Sequence, residues 1–499
     1  MDDLTRIPAE AQEPGMHGFE KESIRITPDG ELSKIRHPEA LGSSLMHPFI
    51  TTDFTEPQLE FRTRPSGSLY SSLQHLKELH VYTIKAIEGE LIWPFSMPPK
   101  LPAKEEDIPL AVYGRSSSGK KKTLYRRGIG LRYGRRKLTI SGVHYNFSLD
   151  PTICIHGLPG RQGNDSPLSL SGCYFHIIRN LYRKIFYFAY LFGASPAFDK
   201  SFEAPGINRF KQHKSSTYYG EFATSLRASQ IGYTSDVQDQ LPMSYDSLNA
   251  YMKSLDYAVS TRNPAYERIT NHAFGQLNAN YLQAEYELYA PFRPKQMLET
   301  GERLLDAMEK RGVGRLEVRL PDIDPEYPDG IDPCTMGFLH LVMVDCLMSE
   351  SPPLTPRETA DIRNAHREII WNGRKKGLCI PAGGRIESFH DAGKKYCEGL
   401  YKLAEKMDRE CGLEFYGKSL RLQIEKWESP ELTPSGKILS HLLDDNKEFI
   451  QWGVEIAEKN AQYYRTCEPD PNSQKEIEIQ TRRSVELQRE LEASEKEQH

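Results

Sequence analysis

The stretch Gly18-Phe19-Glu20-Lys21-Glu22-Ser23-Ile24 decides how this chain is read. In an extended strand, side chains two apart point the same way, so Glu20 and Glu22 stand side by side on one face. Two like charges about 6.6 Å apart, the span of two strand residues, repel by roughly 2.5 kcal/mol in the partly polarisable surroundings of a protein surface. Such a pair is stable when a cation sits with it.

Working outward, the same alternation recurs in three other places. Leu59-Glu60-Phe61 turns Glu60 away from its two apolar neighbours, a few residues after Asp53 in Ile50-Thr51-Thr52-Asp53-Phe54. Val143-His144-Tyr145-Asn146-Phe147 sets His144 and Asn146 opposite three apolar residues, and Arg315-Leu316-Glu317-Val318-Arg319 puts Glu317 and Arg319 on one face. If these strands share a sheet, its polar face gathers Glu20, Glu22, Asp53, Glu60, His144 and Glu317. An oxygen-rich set with one imidazole favours Mg²⁺, with Mn²⁺ able to substitute, whereas zinc prefers more nitrogen or thiolate ligands. Taken singly, each strand also reads as the solvated outer face of an antiparallel sheet. The preponderance of carboxylates over mixed polar residues favours the metal reading.

Between Asp107 and Asp150 there is no acidic residue, yet Arg115, Lys120, Lys121, Lys122, Arg126, Arg127, Arg132, Arg135, Arg136 and Lys137 all occur, with glycines among them. This reads as a glycine-rich basic loop able to wrap phosphate oxygens, and so as a nucleotide site. Lys120, Lys121 and Lys122 themselves read as surface charge. A competing reading is nucleic-acid binding, with Tyr125, Tyr133 and Tyr145 as stacking platforms. The net charge of -5 opposes a polyanion partner held by overall charge. The P-loop and dinucleotide fingerprints are both missing from the sequence. Metal-bound carboxylates beside a basic loop point to phosphoryl transfer that activates a carboxylate, although the residues alone name neither the carboxylate nor its acceptor.

The whole chain frames these signals. Its 499 residues, 38% hydrophobic and 27% charged, suit an α+β protein of more than one part. Helical spacing marks Ser71 to Gly89 and Cys173 to Phe192, and the segment after Pro333 reads mainly as helices. The expected organisation is an α+β body over 1–330, a mainly helical part over 331–470 and a charged tail over 471–499. That tail reads as a solvated helix or frayed end, because it has no aromatic residue to pack. Eight cysteines without a CxxC pair, Cys154 among them, read as reduced thiols. The apolar windows Ile185 to Phe198 and Gly337 to Met348 fall short of the roughly 20 residues that cross a bilayer. With no signal-like start, the expected location is the cytoplasm, with no membrane and no nucleic-acid partner.

Several stretches resemble the gammaproteobacterial-type glutamate–cysteine ligase family of the glutamine-synthetase-like superfamily. They include Gly18 to Arg25, His47 to Phe61, Leu91 to Pro98, Thr123 to Gly128, Thr139 to Leu149, Tyr190 to Ala197, Ala223 to Thr234, Glu287 to Lys295, Glu317 to Arg319 and Gly373 to Leu378. The resemblance covers roughly residues 17 to 380. It implies a glutamine-synthetase-like antiparallel sheet with a funnel-shaped active site. It also implies ATP- and magnesium-dependent joining of the glutamate γ-carboxyl to the cysteine amine through γ-glutamyl phosphate, the first step of glutathione biosynthesis.

Carried over by position, the resemblance makes Glu20, Glu22, Asp53, Glu60, His144 and Glu317 the metal ligands. Arg319 meets the transferred phosphoryl group, and Arg126 is a second catalytic cation. Arg227 holds glutamate, Phe54, Tyr125 and Tyr233 form the cysteine pocket, and Arg293 and Lys295 join Arg319 on ATP. Two departures from the family pattern bear on the acceptor: Leu138 where glutamine is usual, and Leu320-Pro321 in place of Ser-Leu. A γ-glutamyl ligase for another amine is therefore the alternative, and a nucleotide or nucleic-acid binder the non-enzymatic one. The expected state is a monomer or weak homo-oligomer.

Overall fold

The computed structural model describes residues 15–150, 169–232, 234–269, 275–382 and 385–497. The strands are β1 (Met16–Ile26), β2 (Ile50–Thr52), β3 (Gln58–Arg62), β4 (Leu91–Ile92), β5 (Val143–Ser148), β6 (Ala197–Asp199), β7 (Lys211–His213), β8 (Thr217–Tyr219), β9 (Phe292–Lys295), β10 (Arg315–Val318), β11 (Cys379–Ala382) and β12 (Arg385–Ser388). Seven of them form one antiparallel sheet in the order β2-β3-β1-β5-β10-β9, with β4 paired to β1 off that path. The four alternating stretches thus do lie in one sheet.

Register decides what meets on its polar face. Glu20 lies opposite Arg62 on one side and His144 on the other, Glu22 opposite Glu60, and Glu317 opposite Asn146 and Arg293. On the reverse face Phe19, Leu59, Phe61, Val143, Tyr145, Phe147, Leu316 and Val318 are all buried. Two cations share that reverse face. Lys21 Nζ lies 2.9 Å from His80 Nε2, and Arg25 donates to both carboxylate oxygens of Glu90 at 2.8 and 2.7 Å. Buried cations persist only when paired or hydrogen-bonded in this way.

Helix α1 (Leu69–Ala86) covers the reverse face at β1 and β3. It starts where the Ser68 side chain accepts the Ser71 amide, and Leu69, Leu76 and Leu79 bury its inner stripe. Helices α3 (Leu170–Phe192) and α4 (Pro333–Met348) pack on each other, with His340 of α4 against His17 and Phe147 of the sheet. Their apolar residues are therefore core. No helix among the described residues is long and apolar enough to cross a membrane. Beyond α4 the described chain is helical apart from the β11–β12 hairpin and short turns.

Two expectations are corrected. The basic stretch is not a glycine-rich loop: residues Ser117–Tyr133 form helix α2, capped by Ser116. Its glycines serve close packing, since a Cβ at Gly128 would lie 2.1 Å from Gln283 Oε1 and one at Gly119 would lie 2.3 Å from the Tyr113 carbonyl. The charged end, helix α6 (Pro471–Glu497), is not solvated all round, for Ile477, Thr481 and Ser484 are buried. It follows α5 (Phe449–Thr466) and runs back to the body, where Ser484 Oγ accepts from the Ser43 amide at 2.9 Å and Thr481 Oγ1 bonds His47 Nε2 at 3.1 Å. Small hydroxyls and one isoleucine do the packing that aromatic residues were thought necessary for.

Candidate active site

Glu20, His144 and Glu317 come from β1, β5 and β10, and each offers a ligand atom within 4.8 Å of the others. His144 Nδ1 is 3.2 Å from Glu20 Oε2, and His144 Nε2 is 3.6 Å from Glu22 Oε1. Asn146 Nδ2 donates to Glu20 Oε1 at 3.2 Å, and the Gly142 amide donates to Glu22 Oε2 at 2.9 Å. The carboxylates are thus held in place by neighbours while keeping further lone pairs.

The electrostatics follow from burial and neighbours. Burial lifts the Glu20 carboxyl, but the bond to His144 together with the charges of His144 and Lys295 outweighs it and brings the group down to about 2. Burial likewise lifts Glu317, yet Lys295, Arg293 and Arg319 hold it well below the usual carboxylate range. Burial and the charge of Asp53 push Glu22 up to about 8. Burial, aided by Arg319, lowers His144, which keeps its imidazole neutral and able to ligate a cation at neutral pH. His144 Nε2 and Glu317 Oε1 are buried without a hydrogen-bond partner. Orphaned acceptors in a carboxylate-rich, single-imidazole set fit a hard divalent cation.

The remaining two sequence-derived ligands are engaged by arginines. Asp53, just past β2, receives Arg126 Nη2 of α2 at 2.7 Å, and Glu60 receives Arg62 at 2.9 and 3.1 Å. On the far side Arg293 Nε, Lys295 Nζ and Arg319 Nη1 lie 3.6, 3.4 and 3.4 Å from Glu317. Two cationic groups therefore flank the carboxylates.

Arg227 lies on the turn Leu226–Ala228, where its guanidinium donates to the carbonyls of Arg319 at 2.9 Å and Leu320 at 3.2 Å and lies 3.4 Å from the buried Asp322. With Arg319 it lines a cavity of about 860 Å³ that continues past Tyr289 and Pro291 to Arg363 and His366. Phe54 and Tyr125 pack with Ile129 and Leu138 in a small apolar cluster set apart from the main core. Leu138, singled out as a departure, therefore belongs with the proposed acceptor pocket. Tyr233 and Cys154 lie outside the described residues. Cys334, Cys346, Cys379, Cys397 and Cys467 are free thiols, and burial raises Cys334, Cys346 and Cys397 to about 12, which leaves them poor nucleophiles.

Sequence reasoning missed Arg62 and Lys122. Arg62 is opposite Glu20, a position that only strand pairing reveals. Lys122 reads as one of three surface lysines, but its Nζ lies over the Tyr113 ring, 4.0 Å from the centroid. Burial, with Arg62 and Arg126 nearby, lowers it to about 7. Once α2 is seen as a helix, Lys122 falls one turn before Arg126 on the same face, the signal that could have found it.

A sheet that presents clustered carboxylates between two cationic groups, with Arg319 also lining an arginine-rich cavity, is the arrangement of an ATP-dependent carboxylate–amine ligase of the glutamine-synthetase-like class. Comparison with known proteins narrows it. The glutamate–cysteine ligase family model matches residues 6–369. The glutamate–cysteine ligase of Leptospira interrogans is 44% identical over 480 residues, covering 96% of this chain and 92% of that protein. The crystal structure of the Francisella tularensis glutamate–cysteine ligase in complex with AMP superposes with a TM-score of 0.88 at 31% identity, covering 96% of this chain and 94% of that one. A bifunctional glutathione synthetase from Pasteurella multocida gives 0.71 at 25% identity over 90% of this chain and 53% of its own. The chain belongs to the glutamate–cysteine ligase family, whose members form γ-glutamylcysteine from glutamate, cysteine and ATP in the first step of glutathione biosynthesis. The likeness extends past residue 380, where the sequence motifs fade.

Proposed function

We propose that this chain ligates L-glutamate to L-cysteine through γ-glutamyl phosphate, with Glu20, His144 and Glu317 holding one divalent ion and Glu22, Asp53 and Glu60 another. The observation that carries this reading is the convergence of Glu20, His144 and Glu317 within 4.8 Å, with Arg319 3.4 Å from Glu317. Mg²⁺ suits the donor set, and Mn²⁺ can replace it. When bound, such ions would neutralise phosphate oxygens and polarise the phosphoryl group under attack.

The chain's own residues do the positioning. Arg293 and Lys295 hold the nucleotide phosphates on the β9–β10 side, as forks and point charges suited to that task. Arg227, fixed by two backbone carbonyls and Asp322, anchors glutamate so that its γ-carboxylate attacks the terminal phosphorus in line and ADP leaves. Arg319 and Arg126 stabilise the charge that develops on the transferred group. The cysteine side chain rests among Phe54, Tyr125 and Tyr233 while its deprotonated amine attacks the acyl carbon and phosphate departs. Every residue in this scheme falls within 1–330, so that body is the proposed catalytic unit, with 331–470 as a helical part packed on it and 471–499 as its terminal helix. We take the working unit to be a monomer or weak homo-oligomer in the cytoplasm, because one chain supplies the whole site and Cys334, Cys346, Cys379, Cys397 and Cys467 are free thiols.

The test is ADP release with ATP, Mg²⁺ and glutamate, comparing cysteine, 2-aminobutyrate and other amines, with mass spectrometry of the products. Cysteine-dependent γ-glutamylcysteine is the expected result. Turnover confined to another amine would refute the acceptor assignment.

A further inference from the structure

Tyr113 sits where three parts of the candidate site meet. Its phenol oxygen lies 2.6 Å from the carbonyl of Asp53 and 2.9 Å from that of Thr52, and donates its one proton to this pair. The same oxygen accepts from Arg126 Nε at 3.3 Å, while Arg126 Nη2 donates to Asp53 Oδ1 at 2.7 Å. A closed ring of contacts results, running from the Asp53 carbonyl through the phenol and the guanidinium back to the Asp53 carboxylate. Lys122 Nζ stands over the same aromatic ring. The whole side chain is buried.

A guanidinium tied to a carboxylate alone can swing on its flexible stem, whereas a second, differently directed contact fixes its plane. Outer hydrogen bonds of this kind orient the groups that touch ligand. The position of Tyr113 is set from outside. Gln488 Nε2 of α6 donates to its carbonyl at 3.5 Å, Ser43 Oγ donates in turn to Gln488 Oε1, and Glu492 Oε1 accepts from the Arg115 amide at 2.6 Å. Gly119 lets the first turn of α2 close on the same carbonyl.

We propose that Tyr113 is a positioning residue of the ligase, its hydroxyl setting the orientation of Asp53 and Arg126 toward the bound cation and the phosphoryl group. The inference rests on the assignment of Asp53 and Arg126 to the site. It gives a role in the reaction to a tyrosine whose hydroxyl bonds Thr52, Asp53 and Arg126, and it ties that role to the terminal helix.

The experiment compares Tyr113→Phe, Asp53→Asn and Tyr190→Phe in the full-length enzyme. Tyr190 is an equally buried tyrosine whose hydroxyl donates to the Lys426 carbonyl at 2.6 Å, so it reports what losing a buried phenol does elsewhere. Mn²⁺ binding is measured by calorimetry without substrates, alongside melting temperature, kcat and each KM. Asp53→Asn should abolish one Mn²⁺ site. Tyr113→Phe should weaken that same site and lower kcat, each by about 10- to 100-fold, while melting no lower than Tyr190→Phe, which keeps both parental values. If Asp53→Asn binds Mn²⁺ and turns over like the parent, the site assignment fails and the inference falls with it. If Asp53→Asn is impaired but Tyr113→Phe matches the parent, or loses no more than Tyr190→Phe, the positioning role alone is overturned.

Discussion

Glu22 and Glu60 face each other directly across β1 and β3, so two buried carboxylates occupy one cross-strand pair. Like charges placed this way destabilise a sheet, and Glu60 adds to the lift that burial and Asp53 chiefly give the Glu22 carboxyl. Replacing Glu60 by Gln removes half of the conflict and one proposed ligand. In chelator the Glu60→Gln variant should melt no lower than the parent, and the rise in melting temperature on adding Mg²⁺ should shrink or vanish along with turnover. A full Mg²⁺ response in a metal-titrated melting curve would exclude Glu60 as a ligand.

Arg319 stands on the polar face of the sheet beside Glu317 and His144, partly accessible from the cavity. Its charge matters most when the transferred group gains charge, so Arg319→Ala should lower kcat by about 100- to 1000-fold with the fold intact. Glutamate affinity, followed by ligand-induced thermal shift, should stay near that of the parent. Wild-type turnover in this variant would remove Arg319 from the mechanism.

Gly142 has no room for a side chain, since a Cβ there would lie 2.0 Å from Arg227 Nη2 and 2.4 Å from its Cζ. Gly142→Ala should therefore displace the Arg227 guanidinium. KM for glutamate should rise by about 10- to 100-fold while KM for ATP moves far less, as expected when one substrate is misplaced by about an ångström. Steady-state kinetics with each substrate varied decide the matter, and equal changes in both constants count against Arg227 as the glutamate anchor.

Burial lifts the Asp324 carboxyl to about 6 from an ordinary value of 3.8. The folded state then holds a proton there between about pH 4 and pH 6 that the unfolded chain has released, so this group's contribution to stability falls as pH rises through that window. Asp324→Asn should flatten the profile of melting temperature against pH over the same range. A profile parallel to the parent's would show that Asp324 titrates normally.

Ile477 is fully buried on the inner face of α6. Truncating a buried aliphatic side chain to alanine costs about 2–5 kcal/mol, so Ile477→Ala should lower the urea midpoint clearly. A change at the level of an exposed residue, a few tenths of a kcal/mol, would return this helix to the solvated state that its charge content suggests.

The sequence by itself determined which residues could share a face. Period-two alternation is local chemistry, and it placed Glu20 beside Glu22, His144 beside Asn146 and Glu317 beside Arg319 before any strand was paired. It also marked α1 and α3, because an apolar stripe at helical spacing needs no distant partner to be recognised. Tertiary structure decided the rest. Strand order and register brought Glu20 to His144 and Arg62, and Glu22 to Glu60, contacts between residues far apart in the chain that no local period encodes. The glycines of α2 argued for a loop because backbone freedom is their local meaning, whereas their purpose here is to admit Tyr113 and Gln283 at close range. The terminal helix looked solvated because it is highly charged and has no aromatic residue to pack. One isoleucine and a row of hydroxyls suffice once Ser43 and His47 are there to meet them, and complementarity of that kind exists only between folded surfaces.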